Sequence, residues 1–89
     1  MRWDWDAEKA RGNEEKHGVN FEESENFDFP NARVWEDKRK DYGETRELAL
    51  GMIRDRLHLM VFVAKPDHFR IISLRKANRR EGRVYERRR

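Results

Sequence analysis

The chain predicts an α+β fold with a mostly antiparallel sheet, and three observations carry that expectation. Residues 48–74 are dense in Leu, Ile, Val, Met and Phe and are interrupted by short turns, as successive strands require. Two helix-start signals precede this stretch, at Asp6 and at Asn20-Phe-Glu-Glu23, and a third follows it at Asn78-x-x-Glu81. Strands grouped together and flanked by helices belong to the α+β class.

Residues 1–5, Met-Arg-Trp-Asp-Trp, read as a short edge strand with Trp3 and Trp5 on one face. Asp6 is an N-cap, residues 7–17 are mostly strong helix formers, and Gly18 stands where a C-cap belongs. Ala10, Asn13 and His17 share the inward face of that helix, while Glu8, Lys9, Glu15 and Lys16 are solvated. The capping-box pattern at Asn20 starts a second, short helix to Phe27, which Phe29-Pro30-Asn31 ends. Residues 32–36 form a strand and the charged stretch 37–43 its hairpin loop. Residues 46–53 form the next strand, with Arg54-Asp55 as a tight turn. Residues 56–65 are the clearest strand, rich in Val and Phe, and Pro66-Asp67 turns the chain into a strand over 69–75. The last helix spans 79–87, with Val84 and Tyr85 facing inward. The order is β-α-α-β-β-β-β-α, read as one domain over residues 1–89.

Only 36% of the residues are hydrophobic and 44% are charged, a composition that by itself leans towards disorder. The clustering of the apolar residues in 48–74 decides for a folded domain with a highly charged surface. Charge is unevenly placed. Residues 1–45 hold 8 basic and 13 acidic side chains, whereas residues 46–89 hold 13 basic and 5 acidic. One acidic and one basic face are expected, and such a field steers an anionic ligand to one side. The last twenty residues carry nine Lys/Arg against two carboxylates. Because these cations sit on a strand and a helix as well as in the Arg87–Arg89 tail, they predict phosphate recognition, with RNA as the first candidate.

Other chemistries are poorly represented. There is no cysteine, so disulfide and thiolate chemistry are excluded. No apolar run reaches a membrane-spanning length of about eighteen residues, and the start lacks the apolar core of a secretory signal. No membrane association and a cytoplasmic location are expected. His17, His58 and His68 lack the i, i+4 spacing of a metal site, and no Gly-rich phosphate loop occurs, so neither metal nor cofactor is expected.

Charge by itself predicts only phosphate binding. The cleavage of RNA without a metal, which the family resemblance set out below implies, requires a base for the 2′-hydroxyl, positive charge for the phosphate and an acid for the leaving oxygen. Arg75, ending a strand, and Arg80, early in the last helix, can converge on one phosphate; the alternative is an ion pair with Glu81 or Glu86. Glu81 can act as a base or simply close the capping box. Tyr85, one turn from Glu81 on the same face, can stack on a base or polarise a phosphate oxygen, or pack its ring in the core. His17 titrates in the range for acid–base work but sits at a helix C-terminus, where an imidazolium caps carbonyls; the structural role is favoured. His58 and His68 read as surface or sheet residues. Arg46, Arg56, Arg70, Lys76, Arg79 and Arg83 are the remaining candidate RNA contacts, with Arg79 and Arg83 also readable as plain surface charge.

Trp5-Asp6, Lys9, Asn13, Lys16-His17-Gly18-Val19 and Phe21-Glu22-Glu23 resemble the opening signature of BrnT toxins. Tyr42-Gly43-Glu44 with Arg46 resembles the middle of that family. Arg70-Ile-Ile-Ser73 with Arg75-Lys76-Ala77, Arg80-Glu81 and Tyr85 resembles its end. Leu74 departs from the pattern, where a small residue is usual. The resemblance implies a RelE-like fold and a metal-independent ribonuclease that arrests translation. It also implies neutralisation by a BrnA-like antitoxin, with which the toxin represses its own operon, touching operator DNA only through that partner. A non-catalytic basic nucleic-acid-binding module and an inactive toxin homologue are the alternatives.

Overall fold

The computed structural model describes residues 2–87. Its elements are β1 (Trp3–Asp4), α1 (Ala7–His17), 3₁₀ turns at Phe21–Asn26 and Phe29–Asn31, β2 (Arg33–Glu36), β3 (Glu47–Ile53), β4 (Arg56–Ala64), β5 (Phe69–Lys76) and α2 (Arg79–Glu86). The α+β class and the order of elements are as expected. Met1 of the expected first strand, and Arg88 and Arg89 of the basic tail, lie outside the described residues.

The strands form one sheet in the order β1-β5-β4-β3-β2. The β2–β3, β3–β4 and β4–β5 pairings are antiparallel, and β1 alone runs parallel to its neighbour. Antiparallel neighbours need only short connections, which the turns in this chain supply. The tightest, Arg54-Asp55, holds Arg54 at φ 56°, a left-handed backbone that costs a non-glycine residue about 1–2 kcal/mol.

Period-two alternation sorts the core onto two faces. Ala49, Ile53, Met60, Phe62, Ile71 and Leu74 join Val19, Phe21 and Phe27 on the face that α1 and the first 3₁₀ turn cover. Leu48, Leu50, Leu59 and Val61 join Ala77 on the other, under Val84 and Tyr85 of α2. The acidic segment and the basic helix therefore lie on opposite sides of the sheet. A β-bulge separates Val61–Ser73 from Phe62–Ile71 in the β4–β5 register. It lets Ile72 and Leu74, two residues apart, serve opposite faces. The same offset turns Arg75 towards α2. Leu74, the departure from the BrnT pattern, is fully buried.

Two contacts fix the α1 face. A Cβ on Gly51 would come 2.6 Å from Phe27 Cζ, so β3 needs glycine there for the Phe27 ring to lie against the sheet. Asn13, buried on α1, acts as a substitute strand: its Nδ2 donates to Leu74 O at 2.7 Å and Val19 O at 3.0 Å. In return Leu74 N donates to its Oδ1 at 3.1 Å. The edge of β5 is thereby satisfied where no strand pairs it.

Asp6 caps α1 through Glu8 N and Lys9 N, and Gly18 closes it at φ 72°. The expected second, short helix is present over Phe21–Asn26 and is of the 3₁₀ kind, without a full capping box. Asn20 Oδ1 accepts from Glu22 N at 2.7 Å, but the Glu23 carboxylate turns to Arg54 at 2.7 Å and does not close the box. The segment winds as a 3₁₀ turn.

Candidate nucleic-acid interface

At α2 the capping box is complete. Asn78 Oδ1 accepts from Glu81 N at 2.8 Å, and Glu81 Oε1 accepts from Asn78 N at 2.9 Å. The same carboxylate receives both ends of the Arg75 guanidinium, at 2.9 and 2.6 Å. Burial pushes the Glu81 carboxyl up, but Arg75 and the Asn78 N–H together outweigh it, and the net shift is downward. Glu81 is thus an ionised group with its lone pairs engaged, well suited to fixing Arg75 and poorly suited to taking a proton.

A second network approaches from the loop after β2. Arg39 binds Asp37 with two hydrogen bonds of 2.8 Å, and Tyr42 Oη donates to Asp37 at 3.0 Å. These bonds, Arg39 foremost, hold the buried Asp37 carboxyl far below the usual carboxylate range. Arg46 stacks over the Tyr42 ring at 4.1 Å and pairs with Glu44 at 3.3 Å. Arg39 also contributes its charge at Glu81, which links the two networks.

His17 differs from the imidazolium cap expected at the end of α1. Burial first, then the charges of Lys16 and Arg75, lower its pKa. Its ring caps no carbonyl among the described residues. Tyr85 packs its ring against the second core and donates its hydroxyl to Asn31 O at 3.3 Å. Arg79, Arg80 and Arg83 are exposed on α2.

The β-register separates the remaining candidates. Arg56 pairs with Ile53, and Lys76 lies across from His58, at one end of the sheet; Arg46 and Arg70 lie at the other. Arg70 is 3.5 Å from Asp4. At the first end two hollows meet. One, of about 440 Å³, opens on the α1 side and is lined by Arg54, Arg56, His58 and Lys76 opposite Glu14 and Glu23. The other, on the α2 side, is lined by Arg56, Arg79 and Tyr85. Arg56 borders both and is tied down by a bond to Ala77 O at 3.3 Å.

Two histidines were under-read from the sequence. His58 lies in the sheet and is buried, with Nδ1 2.9 Å from Arg56 O. The signal was available, since His58 has the same strand parity as Met60 and Phe62. His68 lies between two carboxylates: Nδ1 is 2.7 Å from Asp67 Oδ1, and Nε2 is 3.2 Å from Asp4 Oδ2 but without hydrogen-bond geometry. The β1–β5 pairing brings Asp4 to it, which no local spacing reveals. Among the described residues no group of three or more His, Cys, Asp or Glu is placed to hold a metal ion, and no helix is long and apolar enough to cross a membrane.

A family model described as the ribonuclease toxin BrnT of a type II toxin–antitoxin system matches residues 5–81. The chain belongs to the BrnT family. The crystal structure of the Brucella abortus ribonuclease toxin BrnT, determined at 1.1 Å resolution, is similar in fold, with a TM-score of 0.71 and 26% sequence identity. That similarity covers 89% of this chain and 99% of the Brucella chain. None of the curated proteins matches. The BrnT-family match ends at Glu81, so it includes the Arg75–Glu81 pair and leaves Arg83 and Tyr85 beyond it.

Proposed function

We propose that the protein is a metal-independent endoribonuclease toxin of a type II system. In this reading it acts in the cytoplasm, cuts RNA and arrests translation until a BrnA-like antitoxin covers it. The toxin–antitoxin complex then represses its own operon, with operator DNA held by the antitoxin. Membership of the BrnT family supports the ribonuclease class, and a type II system supplies a protein antitoxin. The observation that carries the RNA-binding part is local. Arg56, Lys76 and Arg79, from two strands and a helix, line two hollows that meet at one end of the sheet. Cations fixed on different elements can hold successive phosphates of one strand.

Arg75 is the positioned guanidinium of this reading, and Glu81 is the group that positions it. Arg80 and Arg83 extend the phosphate track along α2. Tyr85, half-buried beside Arg79, offers part of its ring to a base. His17 flanks Arg75 as a neutral imidazole. Arg46 and Arg70, at the far end of the sheet, contact only a longer RNA. The chemistry is attack of a 2′-hydroxyl on the adjacent phosphorus with loss of the 5′-oxygen, which leaves a 2′,3′-cyclic phosphate.

The test is cleavage of a defined RNA by the purified protein with EDTA present, followed by analysis of the product ends. Products with cyclic or 3′-phosphate ends are expected. A strict magnesium requirement would overturn the mechanism in favour of attack by water.

A further inference from the structure

We infer that His58 is the general base of this protein and that the groove around it receives the scissile phosphate. The inference rests on the ribonuclease reading above and assigns it a reacting atom. Three observations on the molecule lead to it.

The first is the tautomer. His58 Nδ1 lies 2.9 Å from the carbonyl oxygen of Arg56. A carbonyl only accepts, so Nδ1 carries the proton and Nε2 keeps its lone pair. Among the described residues Nε2 has no hydrogen-bond partner. A histidine whose second nitrogen is fixed by a backbone carbonyl is oriented in the way a base requires.

The second is position. His58 is 6% exposed, yet it lines the groove at the end of the sheet. Along its row of the sheet it stands between Gly51 and Lys76. The Phe27 ring fills the space over Gly51 on one side of the imidazole, and Lys76 sets a cation beside it on the other. The groove also adjoins the hollow under α2 through Arg56, so a strand bound along Arg79 and Arg56 passes His58 next.

The third is charge. Arg56 and Lys76 face His58 from the sheet, Arg54 from the turn, and Glu23 and Glu14 from the 3₁₀ turn and α1. Glu23 is already committed to Arg54 at 2.7 Å. Glu14 and Asp55 stand on the wall with the helix and the turn, while the strand side, where His58 lies, is cationic. Burial foremost, aided by the Arg56 and Lys76 charges and opposed by the Arg56 carbonyl and the Glu23 charge, lowers the pKa of His58. The ring is neutral at pH 7 and ready to accept a proton.

In the step itself, Nε2 takes the proton of the 2′-hydroxyl as that oxygen bonds to phosphorus. The bond from phosphorus to the 5′-oxygen breaks, and the departing oxygen takes a proton from water. The imidazolium then returns its proton to solvent. Lys76 and Arg56 offset the charge that accumulates on the phosphoryl oxygens.

The test compares the wild-type protein with His58→Asn. Asparagine Nδ2 can still donate to Arg56 O, so the strand contact is kept while the base is lost. Single-turnover cleavage in EDTA should fall by at least about 100-fold, the lower range for loss of a general base. The acid limb of the wild-type pH–rate profile should have its midpoint below 6.5 and disappear in the variant. An equal rate and an unchanged profile in a folded His58→Asn protein would overturn the assignment while leaving the ribonuclease reading intact. A second measurement does not depend on turnover. The His58 imidazole resonances of the wild-type protein are followed during titration with an RNA oligomer carrying 2′-deoxy sugars, which cannot be cut. Shifts at His58 support the groove as the RNA site; oligomer binding with His58 unmoved overturns it. If the wild-type protein cuts no RNA at all, the ribonuclease reading fails, and this titration still decides whether the groove takes RNA.

Discussion

Replacing Asn13 with alanine should be among the most damaging single changes outside the apolar core. The side chain makes three hydrogen bonds, two of them to the backbone of Leu74, a residue with no exposed surface. Alanine would strand one buried N–H and two carbonyls. Leaving a buried polar group unpaired costs roughly 1–3 kcal/mol, with carbonyls, which tolerate water or poor geometry better, at the lower end. The better helix propensity of alanine offsets roughly half a kcal/mol. The balance is a loss of about 3–5 kcal/mol, a large part of the roughly 5–15 kcal/mol that stabilises a domain. For a chain of this size that corresponds to a fall in Tm of roughly 12–40 °C, at about 4–8 °C per kcal/mol. The assay is urea and thermal unfolding followed by circular dichroism, with hydrogen exchange at the Leu74 amide as a local probe. Asn13→Asp sharpens it. Aspartate can still accept from Leu74 N, but it has no N–H for the two carbonyls and turns a charge towards them, so it should be no better than alanine. An alanine variant within 1 kcal/mol of wild type, with Leu74 still protected, would show that the strand-like role of Asn13 is wrong.

Gly51→Ala should destabilise by about 1–3 kcal/mol, the usual cost of overpacking, because its Cβ would meet the Phe27 ring at 2.6 Å; an unchanged urea midpoint would refute the contact. Glu81 has a pKa lowered in the folded protein, so its stabilisation is fully present above the unfolded value near 4.5 and is lost as pH falls through the lower folded value. The stability gap between wild type and Glu81→Gln should therefore be open at pH 7 and close below about pH 4.5, as urea titrations across pH would read; a gap independent of pH contradicts the ion pair. Association with a BrnA-like antitoxin should slow as salt rises and weaken in Arg79→Ala, Arg80→Ala and Arg83→Ala, because α2 offers an exposed cationic docking side. Salt-independent rates unaffected by all three changes would place the antitoxin elsewhere, such as on the acidic segment 7–27.

What the sequence determined by itself was local. Caps act within one helical turn, so Asp6, Gly18 and the Asn78–Glu81 box were legible as residue patterns. Density of apolar residues between short turns is equally local, and it placed residues 48–74 in a sheet. The BrnT signature was also written in the order of residues, and the family match over residues 5–81 agrees with it.

What only the tertiary structure decided was which distant residues compete for one another. Asn20-Phe-Glu-Glu23 has the letters of a capping box, yet Glu23 pairs with Arg54, thirty-one residues on, and the helix that Asn20 caps is a 3₁₀ one. Arg75 was read for phosphate or for an ion pair with Glu81 or Glu86, and the β-bulge together with the cap of α2 set it against Glu81. Asn13 was visible as a polar residue on an inward face, but its partner is sixty-one residues away at an unpaired strand edge. His58 gains its groove only when β3, β4 and β5 align Gly51, His58 and Lys76 in one row. Side-chain chemistry is carried by the residue, but protonation, pairing and access are set by neighbours that chain folding brings from far along the sequence, and no spacing rule records them.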